Sequence, residues 1–266
     1  MRKTLALPLA AALLLAGCSA PDPGGDAPSG TGAPATGPGA SASASAPAPS
    51  ASSPTSSAPS SGAPDAAGRL RHFTADELEA VARDLADGEA GARVTNEAQI
   101  AELAPAGEAL LQRMEVSPAA CAVFMNVSVA DQLERAEVAG VSLPGTSETQ
   151  ETTVNFSSYE DRAELQEDQG KGAGMVEDCG EFTMNLGGQT VTTTVSALEA
   201  ETSAESTTAN ATTVLAADRE LSTVTVAARD GHVVVSGSVT GLADQAEALG
   251  LAAEAAERGL EALRSR

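Results

Sequence analysis

Aromatic residues are nearly missing from this chain of 266 residues, which has no Trp, one Tyr and four Phe. Carbohydrate sites usually stack the faces of sugars on Trp or Tyr, so the composition disfavours a site of that kind. The shortage also limits the core, because few large side chains are present to fill it. We expect a core built from Val, Leu, Ala and Met.

Positive charge is also scarce, with 15 Lys and Arg against 37 Asp and Glu and a formal net charge of −22. Nearly all nucleic-acid binding depends on cationic contacts with phosphate, so nucleic acid is not expected as a partner. Direct docking of the domain on anionic lipid is disfavoured for the same reason. Solubility explains the acidity better than an electrostatic partner does.

Histidine occurs only twice, at His72 and His232. His232 follows a predicted turn on the polar side of a predicted hairpin, where a solvated histidine is expected rather than a general base. His72 precedes the first predicted helix and has no Ser, Cys or carboxylate at a catalytic spacing. No GxSxG motif occurs, although a non-local triad would leave no sequence signature. We therefore predict no catalytic residues and no enzyme activity.

Two segments resemble ligand sites only in composition. The segment Gly170–Gly174 lacks the spacing and the Ser or Thr of a phosphate-binding loop, and we interpret it as a helix end and loop. An acidic run after Tyr159 lacks the DxDxDG pattern of a calcium loop and has helical spacing, which indicates a solvated helix face. We predict no metal and no cofactor. The acidic residues concerned are Glu160, Asp161, Glu164, Glu167 and Asp168.

Long apolar runs are confined to the N-terminus. Two basic residues precede the segment Leu5–Ala16, which is too short for a permanent membrane span. The run ends in the letters LAGC, which resemble the lipobox of bacterial lipoproteins and imply cleavage before Cys18 and a diacylglycerol thioether on its sulfur. The alternative is an ordinary signal peptide with a chance cysteine. We expect residues 1–17 to be a signal peptide and Cys18 to anchor the chain at the outer face of the cytoplasmic membrane.

Large side chains are missing from residues 19–68, where only Asp22, Asp26 and Asp65 are not Ala, Ser, Pro, Gly or Thr. Such a segment buries nothing that would offset the entropy of ordering it. We expect residues 18–68 to form the lipidated cysteine and a disordered tether, whose ends lie roughly 40 Å apart as a flexible coil. Residues 69–266 then form a single domain.

Cysteine is rare, and only Cys121 and Cys179 remain once Cys18 is lipidated. An even pair in an exported chain predicts a disulfide. The alternative, two reactive or metal-binding thiols, lacks a CxxC spacing and a nearby His. A disulfide between these two residues is therefore the expected arrangement.

Local patterns in the domain predict helices first and strands later. Thr74 and Glu77 form a capping box, and Asn96 caps a second helix. Pro105 is expected to begin the next helical stretch, and Ser117-Pro118 to cap a short helix. The further elements expected are a strand at Thr152–Phe156, a helix at Tyr159–Lys171, and a hairpin of Glu181–Leu186 with Gln189–Ala197.

A second hairpin is predicted at Asp230-Gly231, between Leu221–Arg229 and His232–Val239. A two-residue loop would pair Arg229 with His232 and would divide the hairpin into an apolar face and a polar face. The helix Ala243–Leu263 is expected to cover the apolar face. Its apolar stripe is Leu242, Ala246, Leu249, Ala253, Ala256, Leu260 and Leu263.

These elements predict an α+β domain, with an antiparallel β-sheet and helices packed on one face. Four motifs along it are Ser117–Cys121, Asp178–Phe182, Gly188–Val191 and Arg229–Val235. Their order resembles the sensor-domain lipoproteins of actinobacteria, a family of PknH-like extracellular domains. The resemblance implies helices flanking an antiparallel sheet, a solvent-accessible cleft, disulfides that pin helices to the sheet, and no catalytic residues to transfer.

The sequence leaves three functions open. The first is a membrane-anchored sensor-like module that binds an unknown extracellular ligand or envelope protein, which is the function we favour. The second is a lipid or glycolipid carrier, which would need an apolar cavity between sheet and helices. The third is a cell-wall enzyme, which would need convergent polar groups around His72 or His232.

Overall fold

The structure is a computed structural model that describes residues 68–125, 128–145, 147, 149–186, 188–217 and 219–266. These residues lie in one compact unit. The predicted signal peptide, the predicted lipidation site Cys18 and the predicted tether up to residue 67 lie outside the described residues. A search of the described helices finds none that is both long and apolar enough to cross a membrane.

Helices and strands alternate through the first half of the domain. The described helices are α1 (Ala75–Ala86), α2 (Glu97–Leu111), a 3₁₀ turn (Ala119–Cys121), α3 (Ala122–Met125), α4 (Val129–Leu133), α5 (Arg162–Asp178) and α6 (Gln245–Arg264). The strands are β1 (Arg93–Asn96), β2 (Glu115–Ser117), β3 (Ala136–Pro144), β4 (Glu151–Tyr159), β5 (Glu181–Leu186), β6 (Gln189–Leu198), β7 (Ser206–Ala216), β8 (Arg219–Asp230) and β9 (Val233–Thr240).

All these strands join one sheet in the order β1-β3-β4-β9-β8-β7-β6-β5-β2. Every neighbouring pair is antiparallel. The predicted α+β class with an antiparallel sheet is thus confirmed. The capping box predicted at Thr74 and the cap predicted at Asn96 are present at the starts of α1 and α2, and Asn96 forms a capping box as well, with Gln99.

The first face of the sheet carries the main core. Val226, Val233 and Val235 on β8 and β9 are fully buried there, with Leu260 of α6 and Leu78 of α1 in the same cluster. α6 packs along β8 and β9, and α1 packs on β3. The predicted role of the last helix, to cover the apolar face of the hairpin, is what the structure shows.

The second face is covered by helices as well, whereas the sequence led us to expect helices on one face. Leu165 of α5 packs with Ala227 and Val234, and Ile100 of α2 and Leu133 of α4 join the same cluster. Ala227 and Val234 point away from the first face because successive side chains in a strand alternate. The few apolar residues on the polar face of the hairpin therefore provide the packing contacts for a second layer of helices.

The register of the second hairpin differs from the prediction by two residues. Asp230 pairs with Val233 and Arg229 pairs with Val234, so the turn is Gly231-His232 rather than Asp230-Gly231. Gly231 has φ 60°, and a Cβ there would lie 2.0 Å from the carbonyl oxygen of Leu70. A shift of two residues keeps each side chain on its face. The predicted division of the hairpin into two faces is therefore correct although the pairing is wrong.

Two predicted helix starts are wrong. α2 runs through Pro105, which has no N–H to donate to the preceding turn. The capping box at Asn96 starts a helix strong enough to continue past this loss. Ser117 does not cap a helix, since it ends β2 and pairs with Thr183 of β5. The 3₁₀ turn after Pro118 has no side-chain cap.

The buried stripe of α6 agrees with the prediction only in its C-terminal half. Ala256, Leu260 and Leu263 are buried as predicted, but Ala248 and Ala252 are buried in place of the predicted positions in the N-terminal half. A seven-residue spacing drifts around an undistorted helix, so the stripe could not be continued over all its turns.

Candidate functional site

The second face of the sheet contains a continuous patch of hydroxyl and amide side chains. Alternation along β7, β8 and β9 brings Asn, Thr and Ser side chains to this face beside a few apolar ones, and Thr193 of β6 lies on the same face. We call the patch the polar surface, and it consists of Thr193, Asn210, Thr212, Thr223, Thr225, Ser238 and Thr240.

The register arranges all of these residues except Thr193 in two rows across the strands. One row is Asn210, Thr225 and Ser238, and the other is Thr212, Thr223 and Thr240. Within the rows, the hydroxyls of Thr225 and Ser238 lie 2.9 Å apart, as do those of Thr223 and Thr240. The half of the polar surface on β8 and β9 therefore satisfies its own hydrogen-bonding groups.

The half of the polar surface on β6 and β7 contains hydrogen-bonding groups that are not satisfied. Thr193 Oγ1, Asn210 Oδ1 and Thr212 Oγ1 are buried and have no hydrogen-bond partner among the described residues. The exposed fractions of these three residues are 1%, 5% and 8%. A buried polar group without a partner costs about 1–3 kcal/mol, and such groups are uncommon in folded proteins. Three of them together mark this part of the sheet as unusual.

Apolar clusters flank the polar surface on both sides. Towards β4 the cluster contains Tyr159 and Leu165 with Ala227 and Val234. Towards β5 it consists of Cys121, Cys179, Phe182, Met184 and Val195, with Val176 of α5 packed against it. The unpartnered oxygens thus lie between two apolar clusters on this face of the sheet.

α5 crosses this face from one cluster to the other. It links β4 to β5, which are five strand spacings apart, or about 24 Å. Its 17 residues make a helix of about 25 Å, which matches that width. Leu165 near its start packs by Ala227, and Val176 near its end packs by Val195. The register places Asn210 and Thr212 between those two contacts, beneath the middle of α5.

The two ends of α5 are held by different chemistry. Cys121 and Cys179 form a disulfide, with an S–S distance of 2.03 Å, directly after the helix ends. This is the pair that the cysteine count predicted. Near the other end, Arg135 forms an ion pair with Asp168, which also accepts a hydrogen bond of 3.4 Å from the hydroxyl of Tyr159. Burial raises the pKa of Tyr159, and the nearby charge of Asp168 adds to the rise.

The first residue of α5 is also tied to the sheet by an ion cluster. Arg162 Nη2 donates to Glu205 Oε2 over 3.2 Å. Arg229 of β8 lies 3.6 Å, and Arg69 3.5 Å, from the other oxygen of the same carboxylate, Glu205 Oε1. Glu205 directly precedes β7, and Arg69 is the second described residue of the chain. One carboxylate therefore connects α5, the sheet and the first of the described residues.

Each histidine weighed for catalysis takes part in a hydrogen bond in the structure. His232 Nδ1 lies 2.9 Å from the backbone oxygen of Tyr159, so this ring is hydrogen-bonded to the end of β4. His72 contributes its carbonyl oxygen to Arg71. Among the described residues, no group of three His, Cys, Asp or Glu side chains is arranged to hold a metal ion. Gly170–Gly174 lies inside α5, where we had expected the helix to end.

The sequence reasoning missed the polar surface because it missed β7. The segment Ser206–Ala216 is rich in Thr and Ala, and its alternation becomes visible only against β6 and β8. A usable signal was present in β8 and β9, where the polar face of the hairpin was identified correctly. The unpartnered state of Asn210 and Thr212 depends on the helix above them, which no local pattern reveals.

Comparisons with known proteins find matches among solved structures only, since no family model and no curated protein matches the chain. The chain is similar to the extracellular domain of PknH from Mycobacterium tuberculosis, with 13% identity, a TM-score of 0.43, and coverage of 73% of this chain and 93% of that one. It is also similar to a putative uncharacterized protein, an Rv0999 ortholog from Mycobacterium smegmatis, with 13% identity, a TM-score of 0.39, and coverage of 71% and 97%. The PknH extracellular domain, which the sequence motifs resemble, is thus among the solved structures that the chain matches. With TM-scores below 0.5, function has to be argued from the residues of this chain.

Proposed function

We propose that this chain is an extracytoplasmic lipoprotein, anchored through Cys18 at the outer face of the cytoplasmic membrane. Its domain is a sensor-like module that binds a small uncharged ligand on the polar surface. The lipobox before Cys18 supports the anchor. The three unpartnered oxygens of Thr193, Asn210 and Thr212 support the binding site and carry the proposal.

The chemistry of the polar surface indicates the class of ligand. All its members are neutral hydroxyl or amide groups, and an ionised ligand buried against them would keep an uncompensated charge. The amide oxygen of Asn210 can only accept a hydrogen bond, whereas the hydroxyls of Thr193 and Thr212 can donate and accept. A ligand with hydroxyl or amide groups meets these requirements.

A lipid carrier fits this face less well. An acyl chain placed on the polar surface would leave the same oxygens without partners, so it would remove none of their cost. A partner protein is also disfavoured at this place, because α5 crosses the face. The polar surface therefore favours a small ligand over a lipid or a docked protein.

The binding proposal is tested by native mass spectrometry of the full chain, purified in mild detergent from the membranes of its own host. The variant pair Thr193→Val with Thr212→Val removes two of the three oxygens and keeps the shape of both side chains. The control is Thr194→Val, because Thr194 lies on the opposite face of the same strand and is itself exposed. We expect a bound small molecule in the wild type and the control, and none in the double variant.

Ordered water on the three oxygens would give a different result. The wild type would then carry no small molecule, and its spectrum would match that of the double variant, which would overturn the binding proposal. Folding of the double variant is checked by its melting temperature. Loss of two unpaired buried hydroxyls should leave that temperature unchanged or higher.

The anchor is tested separately by Cys18→Ser. We expect the wild type in the membrane fraction and the variant released from it, because the predicted lipid is the attachment. A wild-type chain that lacks a lipid mass on its N-terminal peptide would contradict the anchor without affecting the binding proposal.

A further inference from the structure

The polar surface is closed in this structure. Thr193 Oγ1, Asn210 Oδ1 and Thr212 Oγ1 have no appreciable exposed area, so they are closed off from solvent. α5 passes over this part of the sheet between the two places where Leu165 and Val176 pack against it. A ligand can reach the three oxygens only when α5 moves away from the sheet.

The contacts at the two ends of α5 determine which end can move away from the sheet. Its C-terminal end is joined covalently to the 3₁₀ turn by Cys121–Cys179, both of which are buried. Its N-terminal half is held by noncovalent contacts, which include the packing of Leu165 and the ion pairs of Asp168 and Arg162. Ion pairs between partly exposed side chains contribute little to stability and weaken with salt. The disulfide end is therefore the pivot and the Arg162 end is the one that opens.

Glu205 also connects α5 to other parts of the domain. Its two oxygens are divided between Arg162 on one side and Arg69 with Arg229 on the other. Arg229 belongs to β8 and fixes the carboxylate to the sheet. Arg69 lies beside the first described residue and adds a second arginine to the same carboxylate oxygen.

We infer that Glu205, with Arg69, Arg162 and Arg229, is a latch that holds α5 closed over the polar surface. Release of Arg162 from Glu205 lets the helix swing about Cys121–Cys179 and opens the site to its ligand. This inference rests on the proposed function, since it describes how access to that same site is regulated.

The test is hydrogen exchange of the full chain in detergent, followed by mass spectrometry of peptides from the first half of α5. Glu205→Gln removes the latch charge and keeps the size of the side chain. We expect exchange in those peptides to be about two- to fivefold faster than in the wild type, the range set by a partly exposed ion pair. Peptides from the end of α5 beside Cys179 should not change.

Two controls separate the latch from a general loss of stability. Glu89→Gln breaks a surface ion pair with Arg258, 4.0 Å away, and should leave α5 unchanged. Arg162→Lys keeps the positive charge and should retain protection that Arg162→Gln loses. High salt should speed exchange in the wild type and have little further effect in Glu205→Gln, because the ion pair that salt screens is already absent.

The latch is overturned if exchange in the first half of α5 is the same in Glu205→Gln, Glu89→Gln and the wild type. Failure of the proposed function has a different signature. Native mass spectra without a bound molecule, together with faster exchange in Glu205→Gln, would remove the ligand and leave the latch. A bound molecule that depends on Thr193 and Thr212, together with unchanged exchange, would remove the latch and leave the ligand.

Discussion

Gly237 of β9 lies directly against the backbone of α6 at Ala252. A Cβ added at Gly237 would be 2.1 Å from the carbonyl oxygen of Ala252 and 2.7 Å from the amide nitrogen of Ala256. The helix therefore approaches the sheet to backbone contact at this point. This close approach explains why the buried side of α6 begins with alanines, at Ala248 and Ala252, before it reaches larger side chains.

The first prediction follows from that contact. Gly237→Ala should destabilise the domain by about 1–3 kcal/mol, because backbone atoms cannot move aside as a flexible side chain can. Gly250→Ala is the matched control, since a Cβ there meets nothing within 4 Å. It should stabilise α6 by up to about 1 kcal/mol, the helix preference of Ala over Gly. Urea unfolding of the full chain measures both, and equal midpoints would contradict the close approach.

The second prediction concerns the disulfide. Cys121 and Cys179 are 58 residues apart in sequence, and closing a loop of that length stabilises the fold by about 4 kcal/mol in the chain-entropy model. Replacing both cysteines by Ala should lower the free energy of unfolding by roughly that amount. Urea unfolding with and without reductant is the measurement. If the double variant responds to reductant as strongly as the wild type, the cause of the change is not this bond.

Local signals in the sequence were enough for elements that depend on neighbouring residues. The capping box of Thr74 and Glu77 needs only four residues, and the first hairpin has the predicted two-residue loop, with Leu186 paired to Gln189. The register of the second hairpin failed because Gly231 is set by contact with Leu70, more than 150 residues away. Turn residues alone could not include that contact.

The candidate site was less predictable for the same reason. The hydroxyl face of β8 and β9 was identified from alternation, but its continuation on β7 was not. Glu205 gave no signal at all, because its partners Arg69, Arg162 and Arg229 come from three separate parts of the chain. A carboxylate in an acidic chain looks like one more solvated charge until the fold brings arginines around it.

The third prediction uses the pair of Arg71 and Glu77. Arg71 donates to both carboxylate oxygens of Glu77, over 2.7 and 3.1 Å. This hydrogen bonding, with a further bond from the Thr74 backbone, lowers the pKa of Glu77 from 4.5 to about 2, although partial burial opposes the shift. A lowered pKa means that the stabilisation is present above pH 4.5 and is lost as the pH falls towards 2.

Glu77→Gln should therefore destabilise the domain at neutral pH and have a diminishing effect below pH 4.5. The side chain of Glu77 is 39% exposed, so solvent screening limits the effect at neutral pH to about 1 kcal/mol. Thermal unfolding across this pH range measures it. The exposed Glu254→Gln is the control for loss of a surface charge, whereas a pH-independent loss in Glu77→Gln would point to the capping box alone.

The fourth prediction concerns Glu97, at the start of α2. Partial burial raises its pKa, and a hydrogen bond with the side chain of Glu137 and the charge of that residue add to the rise, against a smaller opposite effect from the Val138 backbone. One of its oxygens, Oε2, has no partner among the described residues. Because the folded state binds the proton more tightly, stability from this group is full below pH 4.5 and is lost as the pH rises through the folded-state pKa.

Glu97→Gln should consequently stabilise the domain at neutral pH, by about 1 kcal/mol or less, since the amide carries no charge to desolvate. The gain should vanish below pH 4.5, where Glu97 is protonated in both the folded and the unfolded chain. The helix N-terminus favours a negative charge at this position, whereas burial and Glu137 act in the opposite direction and raise the pKa. Glu102→Gln, on the exposed side of the same helix, is the control for the helix charge. A gain in Glu97→Gln that persists unchanged at low pH would contradict a titrating origin, because protonation would then make no difference to the folded state.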